Sequence, residues 1–125
     1  MRLVDMPGYG FAARSVKEKA AWRSSIETYL QDRETLKGLV LIMDVRRDWS
    51  KDEDLIVEWC RHYSKPTLVL LNKADKLSKS QGLKRKKEIE KQSGRPALLV
   101  SSSTKSGVAE AERYVFENFI MRKEL

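Results

Sequence analysis

Three short apolar runs restrict this chain more than anything else in it: Leu39-Val40-Leu41-Ile42-Met43, Thr67-Leu68-Val69-Leu70-Leu71 and Ala97-Leu98-Leu99-Val100. Each is too short for a core helix and rich in branched aliphatic residues, so each reads as a strand. The first is nearly continuous in apolar character and reads as buried on both faces. Longer segments lie between them, in which apolar residues recur at helical spacing among charges. Strand and helix in alternation point to an α/β fold with a parallel sheet, because parallel neighbours need a long crossover and a helix supplies it. A shorter stub, Arg2-Leu3-Val4, adds a fourth strand. All four are expected to be parallel, with right-handed crossovers.

The helices follow from the same periodicity. Ser15 can cap a helix reaching about Arg33, with Trp22, Ile26, Tyr29, Leu30 and Arg33 on one stripe. A second runs from about Lys51 to Tyr63 and buries Leu55, Ile56, Trp59 and Cys60. A third, Lys79 to Gln92, is highly charged and takes Leu83 and Ile89 as its apolar anchors. The last spans Val108 to about Met121. A length of 125 residues suits one domain with one core. The single cysteine, Cys60, excludes an internal disulfide and suits a reducing compartment. Its apolar neighbours make it a buried structural thiol rather than a nucleophile. The sequence shows no signal peptide and no apolar run near membrane-spanning length, so a cytoplasmic location away from membranes is expected. His62 stands alone, without metal-ligand spacing.

In an open parallel sheet, ligands bind beyond the carboxyl ends of the strands. Three loops fall there. Asn72-Lys73-Ala74-Asp75 has the N-K-x-D form that reads guanine. The Asp75 carboxylate can accept from the ring N–H and the exocyclic amine, a pair adenine does not offer. Asn72 would face the other edge of the base, and the Lys73 stem would lie over the ring. After Val100, Ser101-Ser102-Ser103 is a loop of small residues in which the Ser102 N–H would point at the guanine O6. Asp5-Met6-Pro7-Gly8 is a D-x-P-G turn, where the Gly8 N–H would meet the γ-phosphate and Asp5 would hold Mg²⁺ through water. Each loop alone is a common surface turn. Three in this order, each after a strand, point to GTP or GDP with Mg²⁺.

The segment Leu3-Val4-Asp5-Met6-Pro7-Gly8-Tyr9-Gly10-Phe11-Ala12 resembles the V-D-x-P-G-Y-G-[YF]-A segment of the EngB (YihA/YsxC) family of ribosome-biogenesis GTPases. Tyr29-Leu30 with Arg33, Leu36-Lys37-Gly38-Leu39-Val40, Asp44-Val45-Arg46 and Asn72 to Ser78 are similar to that family too. Asn72 departs from its more frequent Thr toward the general GTPase signature. The resemblance spans nearly the whole chain. It implies a three-layer P-loop GTPase fold, GTP binding and hydrolysis, Mg²⁺, association with the large ribosomal subunit or its rRNA, and a link to cell division and septation.

No G-x-x-x-x-G-K-[ST] occurs in these residues. The phosphate cradle, its lysine and the metal-ligating hydroxyl it supplies are therefore missing, as is the switch threonine. The resemblance thus implies that residues 1–125 are the C-terminal portion of a single G domain, with a mostly parallel sheet lacking the P-loop strand, its helix and switch I. These residues alone are expected to bind GTP weakly, to be inactive, and either to fold poorly or to associate through the exposed edge of the Leu39–Met43 strand. No catalytic residue is identified. Tyr9 occupies the position where Ras-like enzymes place a glutamine, and Arg14 lies near the phosphate side.

Formal net charge is +7, which makes a polyanion, foremost nucleic acid, a candidate partner. The densest basic run is Lys84-Arg85-Lys86-Lys87. It can be a solvated helix face or a contact that tracks RNA phosphates. A nucleotide-independent RNA- or protein-binding module derived from a GTPase is the alternative to a GTPase in ribosome assembly.

Overall fold

Where one face of a strand is packed, every second side chain is pinned, and the register of this sheet follows that rule. The computed structural model describes residues 36–120 together with 20, 21, 23–25, 27 and 28. Among them run β1 (Leu39–Asp44), α1 (Lys51–His62), β2 (Thr67–Asn72), α2 (Lys79–Ser93), β3 (Ala97–Leu99) and α3 (Val108–Val115). The strands lie in the order β1-β2-β3. Both pairings are parallel, with Leu41 opposite Val69 and Val69 opposite Ala97. The expected strand Arg2–Val4, the D-x-P-G loop and most of the helix expected from Ser15 to Arg33 lie outside the described residues.

The pinned face carries Leu41, Met43, Val69, Leu71 and Ala97. It packs against Ile56 and Cys60 of α1 and Ile89 of α2, with Trp49, Trp59 and Leu99 at its rim. Burying such aliphatic side chains contributes about 1.5–3 kcal/mol each. The other face departs from expectation. Leu68 is fully buried, but Ile42 is 55% exposed, so β1 is not covered on both sides by the described residues. A continuous apolar run shows only that both faces can be buried.

Local chemistry sets the ends of the helices. Ser50 caps α1 by accepting from the Asp52 N–H at 3.3 Å. Asp52, Glu53 and Asp54 in the first turn and Arg61 and His62 in the last complement the helix dipole. Ser78 and Gln81 form a reciprocal capping box on α2. Ile89 is an anchor of α2 as expected, whereas Leu83 is 54% exposed. Gly82 and Ser93 take the inner positions beside Ile89 instead. After α3 the chain makes a π turn, Phe116–Ile120, and the Phe119 ring packs where a side chain on Gly38 would have to go.

Candidate functional site

The carboxyl ends of parallel strands share one edge of the sheet, and here backbone hydrogen bonds lace those ends together. Val45 N–H donates to Asn72 O at 2.9 Å, and Ala74 N–H donates to Val100 O at 3.0 Å. Lys73 adopts the left-handed conformation (φ 61°, ψ 33°), and Ala74–Lys76 form one 3₁₀ turn. The turn swings Asp75 back over the end of β3. There the Ser101 hydroxyl donates to Asp75 Oδ1 at 2.8 Å. Ser102 N–H donates to Asn72 Oδ1 at 3.2 Å. The two loops singled out in the sequence therefore meet through their own side chains.

Ser101 is the joint between them. It is fully buried, and its Oγ also accepts from the Thr104 N–H at 3.2 Å. Its own N–H donates to Ser106 O at 2.9 Å, which closes the serine loop. The loop returns through Gly107, at φ +76°, where an added Cβ would stand 2.2 Å from Leu99 O. Asp75 is exposed. With Oδ1 held by Ser101, Oδ2 faces away from any hydrogen bond among the described residues. A carboxylate so held can accept further donors from an adjacent heterocycle. Pointing the Ser102 N–H at a base oxygen requires its bond to Asn72 to be shared or released.

A third group at this edge was noted in the sequence only as part of the resemblance. Asp44 ends β1, directly opposite Asn72 in the register. It accepts from Arg46 Nε at 3.0 Å, from Arg46 Nη2 at 2.8 Å and from the Arg46 N–H at 2.9 Å. Lys73 Nζ lies 3.7 Å from its Oδ2. The Arg46 hydrogen bonds hold the Asp44 carboxyl well below the usual carboxylate range, against the opposing effect of its partial burial. Asp44, in turn, raises the pKa of Arg46, with a smaller contribution from Asp75. Spacing alone did not single out Asp44, since a carboxylate at a strand end is ordinary.

The basic run divides in two. Lys84 and Lys87 are exposed and Lys86 is half-buried. The side chain of Arg85 is only 14% exposed. Its Nε donates to Val45 O at 2.9 Å, its Nη2 donates to Arg47 O, and its Nη1 donates to Glu88 at 3.2 Å. Arg85 thus clamps α2 to the loop after β1. Cys60 is buried, and burial pushes its thiol up, as suits a structural position.

Among the described residues, no group of three or more His, Cys, Asp or Glu side chains can hold a metal ion. The Mg²⁺ candidate Asp5, with Met6, Pro7 and Gly8, lies outside them. No helix among them is long and apolar enough to cross a membrane.

No protein-family model matches the chain. It is 49% identical over 94% of its length to a probable GTP-binding protein EngB of Bdellovibrio bacteriovorus, of which it covers 60%. It is 43% identical over 86% of its length to the same-named protein of Desulfosudis oleivorans, covering 56% of it. With that of Shouchella clausii the identity is 40% over 92% of the chain. The chain thus spans about 60% of the length of the curated relatives it matches. Its fold is similar to the crystal structure of a probable GTP-binding protein EngB, with TM-score 0.77 at 19% identity, covering 94% of this chain and 77% of that one. The apo translation elongation factor SelB of Methanococcus maripaludis matches 82% of the chain with TM-score 0.62 at 11% identity.

Proposed function

Because the chain belongs to the EngB family of GTP-binding proteins, we propose that Asn72, Lys73, Ala74, Asp75, Val100, Ser101 and Ser102 form the guanine-reading half of a GTP/GDP site. One observation carries this reading: the Ser101 hydroxyl holds one oxygen of the exposed Asp75 carboxylate at 2.8 Å and leaves the other for a ligand. Guanine offers the ring N–H and exocyclic amine that such a carboxylate accepts, while Asn72 meets the opposite edge. In the intact protein, Asp5 would hold Mg²⁺ through water and the Gly8 N–H would meet the γ-phosphate. The metal would supply charge neutralisation at the phosphates. The described residues contribute base recognition and no metal ligand set.

At the level of the whole protein, the reading is a cytoplasmic GTPase acting in assembly of the large ribosomal subunit, with a link to cell division and septation. Lys84 and Lys87 of α2, together with Lys91, would face rRNA phosphates.

The test is a titration of the isotopically labelled chain with GDP and with ADP, followed by two-dimensional NMR. GDP is expected to move the amide signals of residues 72–75 and 100–104 while ADP leaves them in place. Equal responses to the two nucleotides would remove guanine recognition. No response to either, together with RNA binding, would favour a nucleotide-independent RNA-binding module.

A further inference from the structure

We infer that Asp44 is a positioning residue for the guanine-reading loop: its carboxylate, anchored by Arg46, fixes where the Lys73 ammonium sits and so how the lysine stem covers the base. The inference rests on the guanine reading above. Its starting point is topological. Asp44 and Asn72 are register partners at the ends of adjacent strands, so the Asp44 side chain stands one strand away from the first residue of the loop. Lys73 follows in the left-handed conformation. Its side chain reaches back across the sheet edge toward β1 and brings Nζ to 3.7 Å from Asp44 Oδ2.

Arg46 accounts for the precision of the anchor. Its guanidinium grips both carboxylate oxygens, at 3.0 and 2.8 Å, and its N–H adds a third donor at 2.9 Å. Asp44 is therefore a fixed negative charge, whereas Lys73, whose side chain is 56% exposed, would otherwise be mobile. An exposed ion pair of this kind contributes little to stability. Its value here is conformational. A lysine stem already held in one place loses less rotamer freedom when a base slides beneath it, which raises affinity without a new contact to the ligand.

A purely structural role for Asp44 gives a different expectation. The Arg46 N–H to Asp44 Oδ1 bond is a side-chain-to-backbone turn that asparagine can also make. Asp44→Asn keeps that turn but removes the charge that Lys73 senses, together with the Arg46 Nη2 bond to Oδ2. The first measurement uses the nucleotide-free chain and the NMR signals of the Lys73 ε-methylene, assigned by comparison with Lys73→Arg. The wild type is expected to show two separate ε-proton shifts and restricted motion. Asp44→Asn should collapse them to the averaged signal of a free lysine, and Asp44→Glu should restore part of the separation. Identical Lys73 signals in the wild type and Asp44→Asn would overturn the inference.

The second measurement is a double-mutant cycle on GDP affinity with Asp44→Asn and Lys73→Met. Each single change is expected to weaken binding about three- to fivefold. The double variant should bind no more weakly than Lys73→Met alone. Additive losses would show that Asp44 does not act through Lys73. A wild-type chain that binds no GDP would refute the guanine reading itself, and the nucleotide-free signals would still decide whether Asp44 orders Lys73.

Discussion

Removing the Arg85 guanidinium would take a donor from the carbonyls of Val45 and Arg47 at once. Arg85→Ala is therefore expected to cost about 1–3 kcal/mol in urea unfolding, with Arg85→Lys recovering only part because ammonium lacks the planar fork. Lys84→Ala, one residue away but exposed, should change stability by less than about 0.5 kcal/mol. The sequence shows these residues as one uniform basic run. Helical phase separates them, since Arg85 lies four residues before the buried Ile89 and so on the same face. Asp44 adds a pH dependence. Its pKa is lowered in the folded chain, so the stability it contributes is present above its ordinary value of 3.8 and fades as pH falls below it. In melts at descending pH, the advantage of the wild type over Asp44→Asn should narrow below about pH 3.8 and should not change between pH 5 and 7.

Among the elements, the strands were the most legible. Short apolar runs placed β1, β2 and β3 to within one residue at their ends, because strand length and branched residues leave few other options. The start of α2 at Lys79 was also legible, whereas the Ser78–Gln81 capping box that fixes it was not singled out. Coverage of the second face of β1 was not legible, because it depends on which distant segment lies against Ile42. The phase of α2 was misjudged at Leu83, since a single apolar residue in a charged helix does not define a stripe. The link between β3 and α3 is the most sensitive joint. Gly107→Ala forces a side chain onto the Leu99 carbonyl at an unfavourable φ, and a loss of more than about 2 kcal/mol is expected by thermal unfolding. Changing Lys84, Lys87 and Lys91 together to glutamine tests the α2 face. If that face meets RNA, the salt slope of binding should fall by roughly one per lysine that touches phosphate.

For the molecule as a whole, no P-loop signature occurs among these 125 residues, so the proposed nucleotide site would find only part of its phosphate contacts here. Guanosine and GTP should accordingly bind this chain with affinities within about tenfold of each other, since the described contacts address the base and the phosphates gain few partners. The candidate site was legible as two loops, N-K-A-D and the serine run, because base recognition needs specific side chains at fixed distances from strand ends. The Asp44–Arg46–Lys73 linkage was not, because it joins residues of different strands through geometry that spacing does not encode. Guanine recognition at this sheet edge, as proposed, rests on Asp75. The direct measurement is NMR titration of the wild-type and Asp75→Asn chains with GDP and xanthosine diphosphate. Replacing the carboxylate with an amide exchanges an acceptor for a donor, so Asp75→Asn should lose its response to GDP and gain one to xanthosine diphosphate. An unchanged preference for GDP in Asp75→Asn would rule out a guanine-reading role for Asp75.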